Sequence, residues 1–218
     1  MGQKDGTDPP DDFNSLKDGS TDSSAIEAYY DEWAGTYDQN LQDWNYRTPD
    51  EVAVTLSEYL KPGAEVLDVG CGTGMFARAL SRHLDCRIEG IDISAASLEM
   101  AGIQSGYDQL HRHDLQSTPL PFGDNAFDAA ACVGVLTYIK DAAKLLGDLC
   151  RIVRPGGFIL FTQRDDRWAE HEFDALICDF ETRELWAPLL VSEVKPYLPK
   201  NEEFSDRVQV IHVLCGVH

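Results

Sequence analysis

What this 218-residue chain lacks narrows it first. Positive charge is scarce: 18 Lys and Arg stand against 38 Asp and Glu, a formal net charge of −20. Such a surface repels polyphosphate, and the few Arg and Lys are scattered with no basic stripe, so no nucleic-acid partner is expected. No apolar run approaches the roughly 18 residues of a membrane-spanning helix, and the amino-terminal residues carry no signal-peptide core. A cytoplasmic protein with no membrane partner is expected. The six cysteines, at positions 71, 86, 132, 150, 178 and 215, form no CxxC pair and no metal-ligand spacing. Most sit in apolar runs, where a free Cys behaves as a small buried hydrophobe. Reduced thiols and no bound metal are expected.

Residues 1–22 are rich in Asp, Gly, Pro and Ser and have few apolar side chains. They cannot bury enough surface to offset ordering entropy, so a disordered acidic tail is expected. A single domain over 23–218 should follow, opening with a helical lid over 23–61. Ser24-Ala-Ile-Glu27 reads as a capping box, and Ile26, Tyr30, Trp33 and Tyr37 recur at helical spacing. A second helix opens at Thr48-Pro49-Asp50-Glu51, read as capped with Pro in its first position, and ends near Lys61-Pro-Gly63.

From there strands and helices alternate. Strands are expected over about 64–69, 86–91, 107–113, 127–133 and 158–162, with helices over about 75–84, 94–104 and 141–153. This order implies an α/β fold: a doubly wound, mostly parallel, seven-stranded sheet with right-handed crossovers. The tail departs from it. A helix is expected around 168–183, and segments near 190–197 and 208–217 should pair as a hairpin on the sheet edge, the last strand antiparallel.

Ligands of such sheets bind at the carboxyl ends of the strands. After the first strand comes Asp68-Val-Gly-Cys-Gly-Thr-Gly74, a strand running into a glycine turn and then a helix. The pattern is GxGxG; the dinucleotide fingerprint would need its third glycine where Met75 stands. Asp92 ends the second strand, 18 residues beyond Gly74, where an acidic side chain can accept both hydroxyls of a ribose. Its plainer reading is a helix cap, but Ser94 is better placed for that. Asp114, after the third strand, could accept a hydrogen bond from the exocyclic amine of adenine. Asp68 points into the same cleft and could orient an ammonium group; a buried carboxylate with no cationic partner is costly, which favours a ligand or a water network. Thr137, Tyr138 and the loop around 164–168 lie where an acceptor should sit. His111, His113, His171 and His212 are candidate bases, but nothing in the sequence pairs them with a carboxylate.

Several of these pieces, taken in order, resemble one family. They are Val66-Leu-Asp-Val-Gly-Cys-Gly-Thr-Gly74, Gly90-Ile-Asp92, His113-Asp-Leu115, Phe127-Asp-Ala129 and Leu149-Cys-Arg-Ile-Val-Arg-Pro-Gly-Gly-Phe-Ile-Leu160. Over about residues 24–164 they look like the ordered motifs of class I S-adenosylmethionine-dependent methyltransferases, which have a Rossmann-like fold. The resemblance implies that Gly70, Cys71 and Gly72 bring backbone to the methionine and ribose portions of the cofactor. Asp92 would hold the ribose hydroxyls, Ile93 would pack on adenine, and Asp114 and Leu115 would contact the adenine edge. The backbone of Val133 would face the methionine moiety. A narrower resemblance lies in Tyr29-Tyr-Asp-Glu-Trp-Ala-Gly-Thr-Tyr-Asp38 with Tyr46-Arg-Thr-Pro49. It is similar to the amino-terminal segment of small-molecule methyltransferases of the methyltransferase-like Williams-Beuren-region and glycine N-methyltransferase types. There the segment folds over the cofactor, which implies that Tyr37 and Arg47 reach the cofactor carboxylate; Arg suits it because its planar fork donates two hydrogen bonds at once. For Trp33 the equal alternative is simple packing of a helix onto the domain.

The implied activity is methyl transfer from S-adenosylmethionine to a small-molecule acceptor, leaving S-adenosylhomocysteine. Catalytic residues, acceptor atom and oligomeric state stay open. Two rivals are a nicotinamide-dependent oxidoreductase on a related sheet, which GxGxG disfavours, and a non-catalytic regulatory or interaction module that retains the cofactor pocket.

Overall fold

Apolar runs set the middle of the molecule. β1 (Ala64–Val69) and β4 (Phe127–Cys132) are almost wholly buried, as near-continuous apolar strands covered on both faces should be. The computed structural model describes residues 20–104, 106–205 and 207–218. Most of the expected tail, residues 1–19, lies outside them. The other strands are β2 (Cys86–Asp92), β3 (Gln109–Arg112), β5 (Val153–Arg164), β6 (Trp186–Val191), β7 (Lys195–Pro196) and β8 (Gln209–Val217). The sheet runs β3-β2-β1-β4-β5-β8-β6, with the two-residue β7 beside β8. Among the described residues eight strands thus stand where seven were expected, the extra one being β7. Neighbours from β3 to β5 pair in parallel; β8 is antiparallel to β5, β6 and β7. This is the mixed α/β architecture of the Rossmann-like methyltransferase fold.

Helices cover both faces. α3 (Thr48–Ser57) and α4 (Met75–Leu80) bury Val52, Leu56, Phe76 and Leu80 against Val66, Ile88 and Leu214. On the other face α6 (Ala142–Ile152) and α8 (Phe173–Thr182) bury Leu145, Leu149, Phe173 and Phe180 against Phe161 and Trp186. α5 (Ala95–Gln104) follows β2. A third apolar cluster lies off the sheet. Tyr29, Trp33 and Leu41 from α1 (Ser23–Trp33) and α2 (Tyr37–Asp43) pack with Tyr197, Leu198 and Phe204. The indole of Trp33 donates to Asn40 Oδ1 at 2.9 Å, which fixes α1 on α2.

Several boundaries differ from the sequence reading. The cap of α1 is Asp22, whose carboxylate accepts from the Ala25 amide at 2.9 Å, so Ser24-Ala-Ile-Glu27 is not the capping box. α1 stops at Trp33, and Tyr37 opens α2, a helix the reading ran together with α1; the intervening Ala34-Gly35-Thr36 makes the turn. α3 has Pro in its first turn but no side-chain cap. The helix expected over 168–183 is split into α7 (Asp165–Trp168) and α8 at Glu172, whose φ is 49°. The expected edge hairpin is present: β8, antiparallel, pairs β5 on one side and β6 on the other, and its Val-Ile-His-Val-Leu-Cys run is largely buried. β6 takes the edge, over 186–191 rather than 190–197, and leaves Leu189 and Val191 exposed.

Candidate functional site

The carboxyl ends of β1, β2, β3 and β4 converge on one cleft of about 630 Å³. Its floor is the turn after β1. Gly70 (φ 69°), Gly72 (φ 51°) and Gly74 (φ 88°) all sit in the left-handed region that L side chains avoid. Gly70 is also sterically locked: a Cβ there would lie 2.3 Å from Val135 Cγ2. A Cβ on Gly72 would meet nothing within 4 Å, because that backbone faces the open cleft. The turn is anchored by Asp92, whose Oδ2 accepts from the Gly72 amide at 2.8 Å and whose Oδ1 accepts from the Ser94 amide at 2.9 Å. A carboxylate has about four lone-pair sites, so with these backbone donors and that of Ile93 at least one remains for a hydroxyl entering the cleft. Burial raises the pKa of Asp92, while the backbone donors of Ser94, Gly72 and Ile93 oppose that rise.

Asp92 and Ile93 share the cleft wall with Asp114 and Leu115, and Val133 closes it from the end of β4. Asp114 is shaped locally by a hydrogen bond from the Gln116 amide to its Oδ1 at 2.9 Å. A smaller space of about 370 Å³ shares Tyr37, Gly70, Gly72 and Val133 with the first and continues to Asp68, Cys71 and Tyr46. Asp68 is buried and accepts from the Tyr107 hydroxyl at 2.6 Å. Burial pushes its pKa up to about 7, the Tyr107 hydrogen bond opposing and the charge of Asp92 reinforcing. Cys71 is buried beside it, and burial holds its thiol well above the usual range.

Of the sequence-predicted cofactor contacts, the structure brings Tyr37, Asp68, Gly70, Cys71, Gly72, Asp92, Ile93, Asp114, Leu115 and Val133 around these two adjoining spaces. Arg47 is the exception. It is exposed, lines neither space, and its guanidinium donates to Asn45 Oδ1 at 3.1 Å. Its place at the start of α3 turns the side chain toward solvent. Among the candidate bases, His111 does have a carboxylate partner, Glu89 Oε2 at 2.7 Å, but none of the four His residues lines the cleft. His212 is buried in β8, and burial holds it near pKa 4.

The roof was only partly foreseen. Tyr30-Asp31 and Tyr37-Asp38 are the same dipeptide one heptad apart. Both tyrosines line the cleft. Both aspartates clasp the parallel domain beneath. Asp31 Oδ1 accepts from the Ser94 hydroxyl at 2.6 Å and from the Ala96 amide at 3.1 Å, at the start of α5. Asp38 accepts from the Thr73 hydroxyl in the glycine turn and from Arg78 of α4 at 2.6 Å. The repeated dipeptide was the available signal. Tyr107 and Tyr197, by contrast, lie in segments with no motif around them.

This geometry agrees with what the chain is similar to. Residues 67–161 match a family model described as a methyltransferase domain. The chain is 34% identical over 140 residues to methyltransferase-like protein 27 of Homo sapiens, covering 62% of this chain and 56% of that protein. It is 35% identical over 143 residues to the 2-phytyl-1,4-naphtoquinone methyltransferase of Trichormus variabilis, covering 61% and 62%. Among solved structures, geranyl diphosphate C-methyltransferase from Streptomyces coelicolor, in complex with Mg2+, geranyl-S-thiolodiphosphate and S-adenosyl-L-homocysteine, superposes with a TM-score of 0.60. It is 15% identical, with 77% of this chain and 76% of that one covered, which is a likeness of fold. Together these matches indicate a class I S-adenosylmethionine-dependent methyltransferase domain, with S-adenosylmethionine as the cofactor. The chain spans less than two thirds of either relative's length.

The residues present fit that cofactor. Gly72 offers open backbone, Asp92 keeps accepting capacity for a hydroxyl, and Asp68 lies where an ammonium would find a carboxylate.

Proposed function

We propose that this chain transfers the methyl group of S-adenosylmethionine to a small-molecule acceptor, in the cytoplasm, beneath a lid formed by residues 23–61. The observation that carries it is the cleft: a glycine turn, Asp92 and Asp114 below, with Tyr30 and Tyr37 of the amino-terminal helices above. Asp92 would take the ribose hydroxyls, Ile93 and Leu115 the faces and edge of adenine, and Asp114 its exocyclic amine. Asp68 and the backbone of Val133 would meet the amino-acid end. When bound, the cofactor supplies a sulfonium-activated methyl group. The protein's part is to hold an acceptor in line with that methyl and to exclude water, and such positioning can supply much of the acceleration.

A net charge of −20 and a roofed cleft argue for a small neutral or cationic acceptor rather than a polyanionic polymer. That several relatives are named as methyltransferases of small molecules supports the same class. The experiment is turnover of S-adenosylmethionine against a metabolite panel, with S-adenosylhomocysteine and methylated product read by mass spectrometry. Transfer to a small molecule is the expected result. Tight cofactor binding with no turnover on any panel or extract would instead favour the non-catalytic module, and label entering RNA, DNA or one protein band would overturn the acceptor class.

A further inference from the structure

Tyrosines gather about the cleft from four separate stretches of chain: Tyr30, Tyr37 and Tyr138 line the larger space, Tyr37 and Tyr46 the smaller, and Tyr197 packs behind Tyr46. Tyr30 and Tyr37 come from α1 and α2, Tyr46 from the turn before α3, Tyr138 from the 3-10 turn Leu136–Tyr138 after β4, and Tyr197 from the segment after β7. Tyr30 meets Tyr138 edge to face with centroids 6.0 Å apart and 89° between the rings, and meets Tyr37 at 6.0 Å. Tyr46 meets Tyr197 at 5.5 Å and 82°. The Tyr46 hydroxyl presses on the turn after β4, lying 3.2 Å from where a Cβ on Gly134 would stand. These rings join around Tyr37, whose phenol feels those of Tyr46, Tyr197 and Tyr138.

The charge around them is one-sided. Among the described residues, the titratable groups lining the two spaces are Asp68, Asp92, Asp114, Cys71 and tyrosines; no Lys, Arg or His lines either. Buried Arg164 lies behind them, where its charge acts on Tyr138 and Tyr197, and it donates to Asp166 at 2.9 and 2.5 Å. Burial holds the phenols of Tyr30, Tyr37, Tyr138 and Tyr197 above their usual range, so they stay neutral. A carboxylate or phosphate acceptor would find no cation lining either space, the Arg164 guanidinium being engaged by Asp166. A neutral phenol or alcohol would gain little from a lining of carboxylates and ring faces. A protonated amine would find ring faces and negative field.

We infer that the tyrosine cluster of Tyr30, Tyr37, Tyr46 and Tyr138, backed by Tyr197, is an acceptor subsite for a small aliphatic amine, making the reaction an N-methylation. This rests on the methyltransferase reading above. The amine arrives as its cation and gives its proton to solvent water at the cleft mouth before it is held in line with the methyl. The free nitrogen then supplies the electron pair of the new N–C bond, the pair of the breaking C–S bond stays on sulfur, and the positive charge passes to the methylated nitrogen. No other co-reactant is needed, and the cationic product is stabilised by the same ring faces.

The test uses the full chain loaded with S-adenosylhomocysteine and three probes: tetramethylammonium, acetate and phenol. Calorimetry reads both the loading step and probe binding. Tetramethylammonium should bind at least about tenfold tighter than either other probe. Tyr138→Phe keeps the ring and should bind it within about threefold of wild type, whereas Tyr138→Leu should lose about tenfold or more. Thermal melts of both variants show whether the fold persists, and Tyr46→Leu with Tyr46→Phe repeats the comparison if Tyr138→Leu does not fold. Equal binding of the three probes, tighter binding of acetate or phenol, or equal loss with Phe and Leu would overturn the amine subsite. Failure of S-adenosylhomocysteine to load would overturn the methyltransferase reading itself, so the two failures are distinguishable.

Discussion

Asp38 joins the amino-terminal helices to the cofactor turn, and removing it measures what that junction contributes. Its carboxylate accepts from the Thr73 hydroxyl and from Arg78 at 2.6 Å, with side chains 31% and 26% exposed for Asp38 and Arg78. A hydrogen bond to a charged group contributes about 1.5–3 kcal/mol when shielded, and partial exposure draws an ion pair toward the roughly 1 kcal/mol of surface pairs. Asp38→Ala should therefore cost about 2 kcal/mol in docking α2. If the docked lid is the binding-competent state, the apparent Kd for S-adenosylhomocysteine rises by up to about thirtyfold, since about 1.4 kcal/mol is tenfold. Asp38→Asn keeps an acceptor for Thr73 but loses the charge, and should cost about fivefold or less. Titration calorimetry gives the affinities, and circular dichroism confirms the fold. A double-mutant cycle with Arg78→Ala isolates the pair. A folded Asp38→Ala whose affinity stays within about twofold of wild type would refute the idea that this latch holds the lid on the cofactor.

Asp92→Ala should weaken S-adenosylmethionine binding by about 1.5–3 kcal/mol; unchanged affinity by calorimetry in the folded variant would sink the ribose assignment. Asp68, with a folded pKa of about 7 against about 3.9 unfolded, gives the cofactor-free protein a definite pH dependence. Between those values the folded state holds the extra proton, so this group's contribution falls as pH rises from about 4 to about 7 and is flat above. A cofactor ammonium beside Asp68 favours the ionised carboxylate, so affinity should rise with pH through about 7, with proton release on binding. Calorimetry in buffers of different ionisation heat reads the proton, and Asp68→Asn should abolish both effects. Removing residues 1–19 should leave cofactor binding intact, because Asp22 still caps α1; removing residues 1–47 should abolish it. Intact binding after the longer cut would be decisive against the lid.

Most of the parallel half of the fold was legible because its signals are local. β1 and β4 are apolar without alternation, and each is followed by a residue type with a backbone or charge reason to be there. Gly70 shows why. Its positive φ and the 2.3 Å approach to Val135 leave glycine as the residue that fits, so the motif and the geometry are one constraint. β8 shows the opposite. The sequence reveals an apolar strand in an edge hairpin, but which strand of that hairpin meets β5 is a choice that no local pattern encodes. Arg47 failed for a similar reason: its resemblance named a partner, while its direction depends on how α3 leaves the preceding turn.

The roof marks where local and non-local information meet. Tyr30-Asp31 and Tyr37-Asp38 could be read as aromatic helix faces, and they are, but each dipeptide also divides its work between two surfaces. The ring enters the cleft and the neighbouring carboxylate grips the domain, Asp31 at the start of α5 and Asp38 at the glycine turn. The glycine turn and the amino-terminal helices are therefore joined through Thr73, which stands between Gly72 and Gly74. On the proposed function, a ligand that orders the glycine turn would also present Thr73 to Asp38, so that binding below and docking of the helices above would draw on the same hydrogen bonds.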